Sequence, residues 1–163
     1  KAIRRQRQMC IRDSLIYNRS PKESEYGTFV DLDTLLKRSD VISLHLAHNP
    51  ATHHIIGAAQ LAEMKPSSVV VNLGRGGLID TDALVAALRN HAIAGAGLDV
   101  FESEPLPLDS PLFQFDNVVL TPHVGSSTTE SFSRMATDAA SEVVRVLDGQ
   151  APQWPVNQVK NKS

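Results

Sequence analysis

The chain has 163 residues, 42% hydrophobic and 21% charged, a composition that suits one globular domain with its own core. A net charge of -2 gives no pull toward nucleic acid or an anionic membrane, and no apolar run nears the roughly 20 residues that a helix needs to cross a bilayer. The single cysteine, Cys10, excludes an intrachain disulfide framework and fits a reducing compartment, so the expected location is cytoplasmic.

Residues 1–14 are basic, lack aromatics and sit outside every periodic pattern, so they read as a solvated end. They lack the apolar stretch of a secretory signal. From there strands and helices alternate. Ser14–Tyr17 is a short strand candidate followed by the turn-like NRSP, and Thr28–Val30 a very short one. Asp31 or Asp33 caps a helix carrying Leu32, Leu35 and Leu36. Val41–Leu46 is a strand, and Gly57–Met64 a short helix that must stop before Pro66. Val69–Leu73 opens on a run of β-branched residues, as expected for a strand buried on both faces. Asp80 caps a helix with Leu84, Ala87 and Leu88 on one side; Ala94–Phe101 and Val118–Leu120 are two further strands. Ser127 and Glu130 have capping-box spacing ahead of the longest helix, in which Phe132 and Met135 read as core residues; Gly149 and Pro152 end it. This alternation predicts a doubly wound parallel α/β sheet.

Three polar residues stand where apolar runs give way to loops: Arg75 after VVVNLG, Glu104 at the close of GLDVFESE, and His123 after VVLTP. In a parallel α/β sheet the C-terminal strand ends form the ligand crevice. A cation, a carboxylate and an imidazole meeting there suit hydride chemistry on a hydroxy acid. His45, His48, His53 and His54 invite a metal reading, but no carboxylate or cysteine pattern completes a site, so no metal is expected.

The stretches LKRSDVISLHLAHNPATHHIIG, MKPSSVVVNLGRGGLIDTDALVAAL, AGAGLDVFESEPLP and NVVLTPHVGSSTTES resemble the nucleotide-binding half of the D-isomer-specific 2-hydroxyacid dehydrogenases, in family order. The resemblance implies a Rossmann-type domain over residues 15–149 and a tail, 150–163, that returns to a substrate domain. It also implies hydride transfer between a nicotinamide dinucleotide and a small 2-oxo or 2-hydroxy acid of the glyoxylate or hydroxypyruvate type. His123 would be the base, Glu104 its carboxylate partner, and Arg75 the bidentate grip on the substrate carboxylate. Asp99 would hold the nicotinamide amide. Leu73, Gly74 and Arg75 would line the nicotinamide ribose side, Leu46 and Thr52 the adenosine and phosphate side, and Gly125 and Ser126, with His123, the nicotinamide. The family also implies a homodimer.

The glycine-rich phosphate loop and the strand before it are not found: Gly27 is the first glycine of the chain. The sheet is therefore expected to be incomplete, the strands at Ser14–Tyr17 and Val41–Leu46 to lack their shared neighbour, and residues 1 to about 30 to be loosely held. On this reading the chain is a C-terminal fragment with little activity alone, and Trp154 is exposed. At the end of the second family strand stand Asn18, Arg19 and Ser20, where NAD-preferring relatives carry an acid; a neutral residue, an arginine and a hydroxyl favour NADP over NAD. Two other readings stand beside this one. One is a non-catalytic nucleotide-sensing or dimerisation module of the same family. The other is a different Rossmann enzyme such as a methyltransferase, against which GLDVFESEP and TPHVGSST argue.

Overall fold

The computed structural model describes residues 27–155 and the backbone of Leu15–Ile16. Two parallel strands, β1 (Leu15–Ile16) and β2 (Thr28–Phe29), pair with each other. A separate four-stranded parallel sheet follows in the order β3 (Val41–Leu44), β4 (Val69–Asn72), β5 (Gly95–Leu98) and β6 (Val118–Leu120). Helices α1 (Leu32–Arg38), α2 (Ala58–Glu63) and α3 (Thr81–Arg89) alternate with the strands, as the sequence pattern predicts. Among the described residues, β1 and β3 share no strand partner. The expectation of a loosely held start falls mainly on residues outside those described.

Local chemistry explains the element ends. Asp31 caps α1 by accepting from the Thr34 amide at 2.7 Å, so the first of the two candidate caps is used. Asp80 does the same for α3, accepting from Ala83 at 3.0 Å. Strands β3, β4 and β5 stop short of their expected ends, because past Leu44, Asn72 and Leu98 the chain leaves the ladder for the loops that build the site.

The core lies on one face of the sheet. Ile42, Leu44, Val70, Ala96 and Leu98 pack there with Leu61 of α2, Leu84 and Leu88 of α3, and Leu36 of α1. Strand β4 corrects the expectation of burial on both faces. Val70 and Asn72 are buried, whereas Val69 and Val71 are only partly covered, and Val41 on β3 and Val119 on β6 are exposed. A β-branched run reports strand preference, and burial on the second face requires a covering layer that the run itself does not specify.

A second compact unit begins at Val124. Its long helix α4 (Thr129–Leu147) is capped by Thr128, whose side chain accepts from the Ser131 amide at 3.1 Å, so the cap sits one residue later than the Ser127–Glu130 spacing implies. Gly149, at φ 73°, supplies the left-handed turn that closes it. Phe132 and Met135 are 57% and 53% exposed, which corrects their reading as core. Helical spacing establishes that apolar residues share a face, and α4 buries none of its residues. Trp154 is exposed.

Candidate active site

Leu44, Asn72, Leu98 and Leu120 are register partners across the four strands. One to three residues past this row lie Leu46, Gly74, Arg75, Asp99, Thr121 and His123. A parallel ladder thus places the ends of four strands, and the polar residues that follow them, along one edge of the sheet.

Asn72 organises the first loop. Its buried amide donates to the Arg75 carbonyl at 2.9 Å and accepts from the Gly74 N–H at 3.1 Å. Arg75 itself is exposed, with Nη1 donating to the Gly74 carbonyl at 2.8 Å. The same asparagine carries the carbonyl that accepts from the Asp99 N–H at 3.0 Å, tying the second loop to the first.

Asp99 is 3% exposed, and the Thr121 hydroxyl donates to its Oδ1 at 2.5 Å. His123 stands two residues further on, at φ 55°, a left-handed conformation uncommon for a residue with a side chain. Its N–H donates to the Thr121 carbonyl at 3.0 Å. This tight turn directs the imidazole back to Glu104: Nδ1 and Oε2 are 2.8 Å apart. The other Glu104 oxygen accepts from the Phe101 N–H at 2.9 Å. Strain at a position fixed by such contacts is characteristic of functional sites. An open cleft of about 330 Å³ adjoins the pair, with Phe101, Leu106, Phe113 and Leu120 among its apolar walls.

The hydrogen bond from His123, then that from the Phe101 N–H, hold the Glu104 carboxyl below the usual carboxylate range. A carboxyl whose folded pKa lies below its unfolded value contributes stability that is complete above the unfolded value and lost as pH falls through the folded one. Glu104→Gln should therefore cost stability near neutrality and cost progressively less below about pH 4. Urea midpoints of both proteins between neutral and acid pH check this; a gap independent of pH would refute it.

The structure brings Glu104 and His123 into contact and links Arg75 to Asp99 through Asn72. Thr52 is buried and its hydroxyl is engaged within a turn, donating to the Ala47 carbonyl at 2.7 Å and accepting from the Asn49 N–H at 2.9 Å. Leu46 packs partly against the core, whereas Leu73 is exposed. Gly125 and Ser126 lie in the second unit, ahead of α4. Asn18, Arg19 and Ser20 lie outside the described residues. Sequence reasoning did not single out Asn72 and Thr121, which position Arg75 and Asp99. Both are polar residues at apolar strand ends, the signal by which Arg75, Glu104 and His123 were found. Among the described residues no group of three or more His, Cys, Asp or Glu is placed to hold a metal ion, and no helix there is long and apolar enough to cross a membrane.

Residues 3–125 match the family described as D-isomer specific 2-hydroxyacid dehydrogenase, NAD binding domain; the match begins inside the segment that the quoted motifs do not reach. The chain is 50% identical over 129 residues to the glyoxylate reductase of Thermofilum pendens, covering 79% of this chain and 38% of that protein. It is 49% identical over 136 residues to a glyoxylate/hydroxypyruvate reductase B of Enterobacter agglomerans, covering 83% and 42%. Among solved structures, the TT0316 protein from Thermus thermophilus superposes with a TM-score of 0.85 at 43% identity, covering 89% of this chain and 46% of that one. A D-lactate dehydrogenase with NAD+ from Lactobacillus jensenii gives 0.82 at 32% identity, covering 90% and 48%. The chain thus spans about two fifths of the length of these curated relatives. Four parallel strands, their alternating helices and the polar residues at their C-terminal ends agree with these likenesses, and the chain belongs to the D-isomer specific 2-hydroxyacid dehydrogenase family, within its NAD binding domain.

Proposed function

We propose that this chain supplies the cofactor-side half of a reductase that converts a small 2-oxo acid, such as glyoxylate or hydroxypyruvate, to the 2-hydroxy acid. The Glu104–His123 hydrogen bond of 2.8 Å at the C-terminal edge of the sheet gives this reading its main support. The site fits a nicotinamide dinucleotide: the crevice lies at parallel strand ends, where such ligands bind, and the buried Asp99 carboxylate stands between Arg75 and His123 in strand order. When bound, the dinucleotide supplies the hydride that reaches C2 of the substrate.

The chain's own residues account for the rest. Glu104 fixes the imidazole through Nδ1, which leaves Nε2 to give a proton to the substrate's carbonyl oxygen, or to take it back in the reverse direction. Arg75 binds the substrate carboxylate with its planar fork, and a cation beside the carbonyl stabilises charge developing on that oxygen. The Glu104 and His123 side chains are 37% and 45% exposed, too open to exclude water from a hydride transfer, and we expect little turnover from these 163 residues alone. Homodimer formation is part of the proposal, supported by the exposed apolar side chains of α4. So is a cytoplasmic location, supported by the single cysteine.

Grafting residues 27–155 in place of the matching stretch of the Thermofilum pendens glyoxylate reductase tests the reading. The grafted protein should oxidise a reduced nicotinamide dinucleotide when given glyoxylate or hydroxypyruvate, and a folded graft that binds nucleotide without turnover would instead favour the nucleotide-sensing alternative. NADPH is the proposed cofactor, on the strength of Asn18, Arg19 and Ser20. Fluorescence titration of the full chain should give tighter binding of NADPH than of NADH, with Arg19→Ala weakening NADPH alone by about tenfold or more. Tighter NADH binding, or an Arg19→Ala variant that leaves the ratio unchanged, would reverse the assignment.

A further inference from the structure

Arg75 begins a short loop that runs through a single 3-10 turn, Gly76–Leu78, into α3. Asn72 holds its start. Its far end is held by a different set of residues, which the reaction outlined above does not use. The His54 N–H donates to the Gly77 carbonyl at 2.8 Å, Ile56 to Leu78 at 3.1 Å, and Asp80 back to Ile56 at 3.0 Å, so residues 54–56 run alongside 77–80. His54 makes this contact at φ 51°, again in the left-handed region.

The His54 imidazole reaches across to the other loop. Its Nε2 lies 2.6 Å from Glu102 Oε1, and the second Glu102 oxygen accepts from the N–H of Thr81, the first residue of α3, at 3.0 Å. Glu102 therefore joins three elements: the 54–56 segment, the start of α3 and the 101–104 turn. Burial alone would raise its pKa. The hydrogen bonds from Thr81 and His54 outweigh burial and keep the carboxyl below its ordinary value. The His53 ring stacks on His54 at 3.8 Å, and His53 Nδ1 lies 3.1 Å from His48 Nε2, so the imidazole is also held from behind.

Glu104, two residues on in the same turn, holds His123. The peptide between Phe101 and Glu102 lies directly against Gly76. One turn thus carries two carboxylates, one facing the proton-transfer histidine and one facing the loop of the substrate-binding arginine.

We propose that His54 and Glu102 form a brace that sets the Arg75 loop at a fixed distance from the Glu104–His123 pair, which makes both of them positioning residues for the grip on the substrate carboxylate. The inference rests on the function proposed above. Simple capping of α3 by Glu102 would stabilise the helix without altering how Arg75 meets an anion.

NMR of the full chain separates these cases, with oxalate as the probe for the carboxylate–carbonyl unit of a 2-oxo acid. In Glu102→Ala, the oxalate affinity read from the Arg75 side-chain nitrogen should fall about ten- to a hundredfold. Amide exchange at Leu78 and Ile79, whose N–H groups bond to Arg75 and Gly76, should accelerate about tenfold or more. NADPH affinity should fall by much less than oxalate affinity, since the Arg75 loop is one of several expected cofactor contacts, with Leu46, Thr52 and Asp99 outside the brace. Glu102→Gln, which keeps an acceptor for Thr81, should recover most of the loss, and His54→Gln should resemble it. Unchanged exchange at Val70 confirms that each variant is folded. Oxalate affinity and loop exchange both within about twofold of wild type in Glu102→Ala would overturn the brace, as would an equal loss of oxalate and nucleotide. If oxalate fails to move Arg75 in the wild-type chain, the proposed substrate grip is wrong, and exchange at Leu78 and Ile79 in Glu102→Ala still decides whether the brace exists.

Discussion

His123→Asn should lower kcat of the grafted reductase by about a hundred- to ten-thousandfold, the usual contribution of a positioned acid or base. Asparagine keeps a polar group near Glu104 but carries no proton that titrates near neutrality. The KM for the 2-oxo acid should change much less, because the imidazole acts on the reacting oxygen while Arg75 binds the carboxylate. Arg75→Lys should show the opposite balance: charge is retained, the bidentate fork is lost, and KM rises more than kcat falls. Steady-state kinetics with glyoxylate read both. If His123→Asn retains more than about a tenth of wild-type kcat, the proton-transfer role is wrong.

Gly76→Ala should produce the largest loss of stability among the substitutions considered. A Cβ at this position would lie 1.9 Å from the Phe101 carbonyl carbon, 2.0 Å from its oxygen and 2.4 Å from the Glu102 nitrogen. These are backbone atoms, so neither a rotamer change nor a flexible side chain can relieve the overlap. Either the Arg75 loop or the 101–104 turn must move. Overpacking of this kind costs about 1–3 kcal/mol and occasionally more. Because both segments carry site residues, the same substitution should also disturb the Glu104–His123 contact, seen as altered imidazole shifts in the NMR spectrum. Gly97→Ala provides the comparison: its Cβ would meet only the Val71 methyls, at 3.8 and 3.9 Å, an ordinary contact. Urea unfolding should place the Gly76 variant well below both wild type and Gly97→Ala. Equal midpoints for the two variants would show that the loop yields without strain.

Much of this was visible in the chain itself, for identifiable reasons. Asp31 and Asp80 announce helix starts because a short acceptor can satisfy the amides that a helix leaves open, a local effect spanning three residues. Val118–Leu120 matches the observed strand residue for residue. Less visible were the roles of Asn72 and Thr121. The Asn72 side chain ties only its own loop, but its carbonyl meets the Asp99 N–H, and the Thr121 hydroxyl meets the Asp99 carboxylate, only when neighbouring strands align. The exposure of Phe132 and Met135 was likewise beyond local reasoning, since spacing defines a helix face and says nothing of what covers it.

Element types, the parallel α/β class and the family can be read along the chain, as can the three polar residues placed where strands end. Those follow from short-range chemistry: periodicity, caps, turn residues and motifs read in order. Which polar groups act together depends on the folded chain. Glu104 and His123 are 19 residues apart, and His54 and Glu102 are 48 apart, yet each pair meets within hydrogen-bonding distance. Parallel pairing imposes that proximity, because it sets Leu44, Asn72, Leu98 and Leu120 in one row and delivers every following loop to the same edge.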